Sequence, residues 1–101
     1  MRGEVYQLPA RGKGHEQRGR RYAVGLQQDW LALSTRIVAF TSTSARPTGF
    51  RPPVVIADNE ALVMCDQLAT VDLNRLNEPA GFLTIDEMQR IDEALALVLN
   101  L

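Results

Sequence analysis

Apolar and polar positions alternate from the outset. In GEVYQL (3–8), Val5 and Gln7 fall on one side of an extended chain and Glu4, Tyr6 and Leu8 on the other, a strand that Pro9 stops. A polar, glycine-rich interval follows. The chain then turns apolar in RYAVGLQ (21–27) and in TRIVAFT (35–41), whose β-branched and aromatic residues predict two further strands. VVIA (54–57) and ALVMC (61–65) predict short strands joined by Asp58-Asn59-Glu60 as a hairpin-like turn. LATVDLNRL (68–76) predicts a short turn, and AGFLTI (80–85) a last brief strand. STSARPTGFRPP (42–53), dense in Ser, Thr, Gly and Pro, predicts a loop or irregular arm.

The period changes at the C-terminal end. Ile85, Met88, Ile91, Leu95, Val98 and Leu99 recur at helical spacing, behind Thr84 and, three residues on, Glu87. That pair spells a capping box, which closes free N–H groups at a helix start. Asp86 and Glu87 sit where the helix dipole favours acids. From Ala94 to Leu101 (ALALVLNL) the helix is apolar nearly all round, so its end is expected to be buried on more than one side, as a core helix or as part of a subunit interface. Several short strands and one terminal helix predict a mainly β chain, a small barrel or half-open sheet capped by that helix. At 101 residues it is expected to form one domain, small enough to gain from a partner subunit.

Composition adds two constraints. No apolar run approaches the roughly 20 residues that span a bilayer, and MRGEVYQLPA has no apolar signal core; no membrane association and a cytoplasmic location are expected. One cysteine allows no internal disulfide, and Cys65, within apolar neighbours, is expected to be an inert buried thiol. The net charge is −1, but its distribution is lopsided: residues 1–51 carry nine basic and three acidic side chains, residues 52–101 two and nine. What attracts a polyanion is the local field, and one basic face with an acidic back suits such a partner.

The basic charge peaks in RGKGHEQRGRR (11–21), with Arg11, Lys13, Arg18, Arg20 and Arg21 among glycines 12, 14 and 19. It reads either as a solvated loop or as a flexible strap for phosphates. Metal chemistry is disfavoured, since one His and one Cys far apart supply no transition-metal ligand set. GKG lacks the P-loop context, and no serine elbow is present. No cofactor is expected. An enzyme built here would work with Arg, Glu, Thr and Ser.

In this order the motifs resemble the MazF/PemK family of toxin endoribonucleases. The family opens with R-G-[ED]-[IV]-[WY], here Arg2-Gly3-Glu4-Val5-Tyr6, and continues with G-x-E-Q, here Gly14-His15-Glu16-Gln17. An Arg opens the next strand, usually as RPAVV, here Arg21-Tyr22-Ala23-Val24, with Tyr22 in place of the usual proline. A hydrophobic strand then ends in Thr41-Ser42; VMCDQLATVDLNRL and GFLTIDEMQRIDEAL supply the remaining matches. The resemblance implies an SH3-like (CcdB/MazF-type) barrel over residues 1–101, acting as a homodimer that cuts single-stranded RNA without metal and is held by a cognate antitoxin, whose acidic tail the basic face would receive.

The same resemblance implies that Arg21 and Thr41 are the catalytic pair. Metal-free cleavage uses the adjacent 2′-hydroxyl as nucleophile and leaves a 2′,3′-cyclic phosphate and a 5′-hydroxyl. Arg21 suits the phosphoryl oxygens, being a permanently charged planar fork, and Thr41 can donate to the same phosphate with Ser42 beside it. Glu16 is the expected base, with His15 a second candidate by pKa. Arg11, Lys13, His15, Gln17, Arg18, Arg20, Ser42 and Gln67 are the expected RNA contacts, Gln67 serving equally well as a strand-end cap. Trp30 is expected to pack rather than to stack a base. Two other readings fit the same barrel: a CcdB-like gyrase inhibitor without catalysis, and a plain RNA-binding module.

Overall fold

A computed structural model describes residues 2–8, 21–28, 31, 33–76 and 78–101. The strands are β1 (Glu4–Leu8), β2 (Arg21–Gly25), β3 (Thr35–Ser42), β4 (Pro53–Ile56), β5 (Asn59–Asp72) and β6 (Pro79–Phe82), followed by helix α1 (Ile85–Leu99). All pairings are antiparallel, in the order β4-β5-β3-β2-β1-β6, and the sheet curls into a nearly closed barrel with the helix packed against it. This is the mainly β barrel with a C-terminal helix that the patterning predicts.

Alternation along the strands builds two apolar clusters. Val5, Val24, Ala39, Val54, Ile56, Val63, Cys65 and Leu83 meet Ile91 and Ala94 of α1 in the larger one. Leu8, Ala23 and Val38 form the smaller, with Phe40, Ala69, Val71 and Leu76 packed on it. Neighbours such as Ala23 and Val24 thus point into opposite clusters, which is why β2 and β3 read as apolar runs rather than as clean alternation. Beyond Gly25 the Leu26 N–H still donates to the Ile37 carbonyl (3.0 Å), and a side chain then takes over: the buried Gln27 amide accepts from Ile37 N–H (3.2 Å) and donates to the Thr35 carbonyl (3.3 Å). Arg2 ties the barrel to the helix, donating to the Leu26 carbonyl (3.1 Å) and pairing with Asp92.

Three details depart from the sequence expectation. Residues 59–72 form one long strand, not two pieces, because the step from Ala39 to Thr41 on β3 faces the step from Leu68 to Val63 on β5. Three extra residues of β5 bulge there, which lets a long strand bend with the barrel. The hairpin turn is Ala57-Asp58, flanked by the Ile56–Asn59 pair, and both residues have positive φ (51° and 67°). Two-residue hairpin loops need that geometry to match strand twist.

The helix seats differently as well. The capping box is present, Thr84 Oγ1 accepting from Glu87 N–H (3.1 Å) and the Glu87 carboxylate from Thr84 N–H (2.9 Å). The inward positions, however, are Glu87, Ile91 and Ala94, with Met88 and Leu95 half-buried, whereas Ile85 is 86% exposed. Leu97, Val98, Leu99 and Leu101 are exposed in the single chain, so the expected burial of the helix end on more than one side is not reached within it. Glu87 sets this seating. Its second carboxylate oxygen accepts from Val55 N–H (2.9 Å), pinning the first helical turn to strand β4.

Candidate active site

Antiparallel pairing brings the start of β2 beside the end of β3. Arg21 is the last β2 residue paired with β1, opposite Leu8, and Ala23 pairs with Phe40. Two residues upstream of Ala23 on the same face, the Arg21 side chain reaches Phe40 diagonally, its guanidinium carbon 5.4 Å from the ring centroid. Among the described residues the Arg21 guanidinium has no ion-pair or hydrogen-bond partner.

Thr41 follows Phe40 in the chain, and its hydroxyl donates to the Tyr22 carbonyl at 3.2 Å. Strand alternation sets Arg21 and Phe40 on the face of the smaller cluster and Thr41, with Ala39, on the other. The two side chains therefore start from opposite faces of the β2–β3 pair, at the same end of the sheet. Tyr22 packs against the larger cluster, so its ring is spent on the core and its carbonyl on Thr41. Where a proline would stop the ladder, Tyr22 is paired with Gln7.

Ser42 turns the chain. Its Oγ accepts from the N–H groups of Ser44 (3.1 Å) and Ala45 (3.0 Å), fixing the first bend of the arm at 43–52. Gln67 is exposed on the bulge of β5, in the stretch facing Phe40 and Thr41. Thus Arg21, Thr41, Ser42 and Gln67 are gathered at one end of the sheet. Glu16, Arg11, Lys13, His15, Gln17, Arg18 and Arg20, like Trp30, lie outside the described residues.

Sequence reasoning missed two features here. One is the Phe40 ring under Arg21, since a phenylalanine in a strand carries no signal beyond β-propensity. The other is the anchor of the arm: Arg51 grips Asp66 through two bonds (3.0 and 2.9 Å), reaches the Arg46 carbonyl and lies over the Phe50 ring at 5.7 Å. The Arg51 hydrogen bond holds the Asp66 carboxyl below its usual range, and Asp66 in turn raises Arg51. The arm is therefore fastened to β5.

Nearby, burial and, secondarily, Asp66 and Asp92 push the Cys65 thiol up to about 11, so it stays protonated, as an inert core group does. Among the described residues no three His, Cys, Asp or Glu side chains gather to hold a metal, and no helix is long and apolar enough to cross a membrane.

Comparison with known proteins agrees with this architecture. Residues 1–99 match the model of the PemK-like, MazF-like toxins of type II toxin-antitoxin systems. A candidate toxin of Mycobacterium tuberculosis is 36% identical over 104 residues, covering all of this chain and 98% of its own. Among solved structures, an endoribonuclease in complex with its cognate antitoxin from a mycobacterial species superposes with a TM-score of 0.80, at 20% identity, over all of this chain and 95% of that one. The Mycobacterium tuberculosis toxin MazF-mt6 gives 0.75 at 20% identity over 95% and 97%, and a MazE-MazF structure from Deinococcus radiodurans gives 0.76 at 17% identity over 99% and 94%. With a match running through both strand ends that carry Arg21 and Thr41 and on through the capped helix, the chain belongs to the PemK-like, MazF-like toxin family of type II toxin-antitoxin systems.

Proposed function

We propose that this toxin is an endoribonuclease that cleaves single-stranded RNA without a metal ion. Its substrate would cross the end of the β2–β3 pair, meeting Arg21 from one side and Thr41 from the other. The observation that carries the reading is the Arg21 guanidinium: a fixed cation resting on an aromatic ring, with no acidic partner among the described residues, one strand away from the Thr41 hydroxyl.

The reaction follows from those groups. The ribose 2′-oxygen loses its proton and attacks the adjacent phosphorus, and the bond from phosphorus to the 5′-oxygen breaks. That oxygen takes up a proton, leaving a 2′,3′-cyclic phosphate on one fragment and a 5′-hydroxyl on the other. Arg21 neutralises the charge that grows on the two non-bridging oxygens, where a preorganised donor is worth most. Thr41, already held by the Tyr22 carbonyl, would turn its O–H to the same phosphate and fix the in-line geometry. Glu16 is the proposed base and His15 the alternative.

Residues 11–20 supply the electrostatics. Arg11, Lys13, Arg18 and Arg20, with His15 and Gln17, would hold flanking phosphates. Ser42 and Gln67 complete the contacts. The same basic face would receive the acidic tail of an antitoxin, in keeping with relatives solved with a cognate antitoxin. A homodimer in the cytoplasm is the proposed working form, and the exposed leucines of the helix end are one apolar surface that could serve it.

The test is to incubate the purified protein with a mixed RNA pool in excess chelator and to sequence the 5′-hydroxyl ends. Discrete cuts that persist in chelator are expected. Strict dependence on an added divalent ion would overturn the metal-free mechanism, and binding without cuts would favour a plain RNA-binding barrel.

A further inference from the structure

Among the described residues two arginines lie over phenylalanine rings, and their different surroundings suggest different duties. Arg51 over Phe50 is closed: its fork is occupied by both oxygens of Asp66 and by the Arg46 carbonyl. Arg21 over Phe40 has, among the described residues, no carboxylate or carbonyl on its fork. A ring face attracts a guanidinium without accepting its N–H bonds in the plane, so it orients the cation and leaves the donors for a ligand. A carboxylate in the same place would consume them.

Resting on the catalytic reading of Arg21, we infer that Phe40 is a positioning residue: its ring holds the Arg21 guanidinium in the orientation that meets the scissile phosphate. Three observations bear on this. The separation of 5.4 Å lies within the roughly 6 Å over which such pairs attract. The ring itself is anchored, because Phe40 pairs with the fully buried Ala23 and packs on the cluster of Leu8, Ala23 and Val38. Phe40 also immediately precedes Thr41, so one short segment of β3 sets the position of both proposed catalytic groups. The barrel core thereby fixes a cation that would otherwise range over many rotamers.

The experiment compares Phe40→Leu and Phe40→Tyr with the unaltered protein in RNA cleavage, alongside side-chain NMR of Arg21. Leucine keeps an apolar anchor but removes the ring face; tyrosine keeps both. Phe40→Leu is expected to lower kcat about two- to fivefold with KM little changed, the range expected from an exposed pair of this kind. Phe40→Tyr should retain the rate. The Arg21 methylene protons should show an upfield ring-current shift in the unaltered protein and in Phe40→Tyr but not in Phe40→Leu.

Full kcat in Phe40→Leu, equal losses in both variants, or a change confined to KM would overturn the inference. If Phe40→Leu does not fold, the ring-current shift in the unaltered protein decides: its absence refutes the positioning role. An Arg21→Ala protein that still cleaves would instead refute the catalytic reading itself. An inactive Arg21→Ala beside a fully active Phe40→Leu would refute the role of Phe40 alone.

Discussion

Glu87 offers the sharpest test of how the fold holds its helix. One carboxylate oxygen accepts Thr84 N–H and the other Val55 N–H, each at 2.9 Å, and the residue is only 9% exposed. Glu87→Ala strips a charged acceptor from two backbone donors, one at the helix start and one on an edge strand. Hydrogen bonds to charged groups are worth about 1.5–3 kcal/mol each. Because the two share one carboxylate and some water enters the gap, we expect a loss of about 2–4 kcal/mol rather than the full sum. For a domain of this size that lowers Tm by about 10–25 °C. Glu87→Gln, with one acceptor oxygen left, should fall between.

Acidity supplies a second readout. Burial pushes the Glu87 carboxyl up, but the N–H groups of Thr84 and Val55, the Thr84 hydroxyl and Arg90 outweigh it and hold the group below its usual range. The folded state therefore gives up this proton more readily than the unfolded chain. The contribution is complete above the ordinary glutamate value of about 4.3 and is lost as pH falls through the lower folded value. Urea titrations at neutral pH should separate Glu87→Ala from the unaltered protein, and the gap should narrow in acid. A difference under about 0.5 kcal/mol at pH 7, no larger than a neutral surface change, or a gap that widens in acid, would refute the reasoning.

Two further outcomes are expected. Ala57 holds a left-handed conformation at φ 51° in the β4–β5 turn; Ala57→Gly should relieve its Cβ contact and, after the added freedom of the unfolded chain, stabilise by about 0.5–1 kcal/mol in thermal melts. A loss of stability would mean the turn is not strained there. Thr41→Val, which keeps shape but removes the hydroxyl, should slow single-turnover RNA cleavage by about 10- to 100-fold, as loss of a hydrogen bond to a charged phosphate implies, while Thr41→Ser stays within a few-fold. Equal rates in all three would remove Thr41 from the site.

What could be read in advance was local. Thr84 and Glu87 announce a helix start because both halves of the capping box lie within three residues. The second bond of Glu87, to a strand 32 residues away, has no periodic trace, and Ile85 stands exposed although it shares the helical spacing. The bulge of β5 was opaque for a similar reason. Asp66 and Gln67 interrupt an apolar run and look like a break, whereas the strand bends there and continues. Ala57 carries no turn signature, since alanine seldom adopts positive φ. The motifs single out Arg21 and Thr41 as candidates. Their relation is not legible there: it depends on strand register, on a ring at position 40 and on a carbonyl at position 22.

The central claim is that one guanidinium carries the chemistry. Single-turnover cleavage of one RNA by the unaltered protein and by Arg21→Ala, with circular dichroism confirming that both are folded, measures it. The account predicts 5′-hydroxyl products from the first and a rate lower by about a hundredfold or more in the second, the loss typical of removing a donor aimed at developing charge. An Arg21→Ala rate within about twofold of the unaltered protein, too small for loss of such a donor, would contradict it.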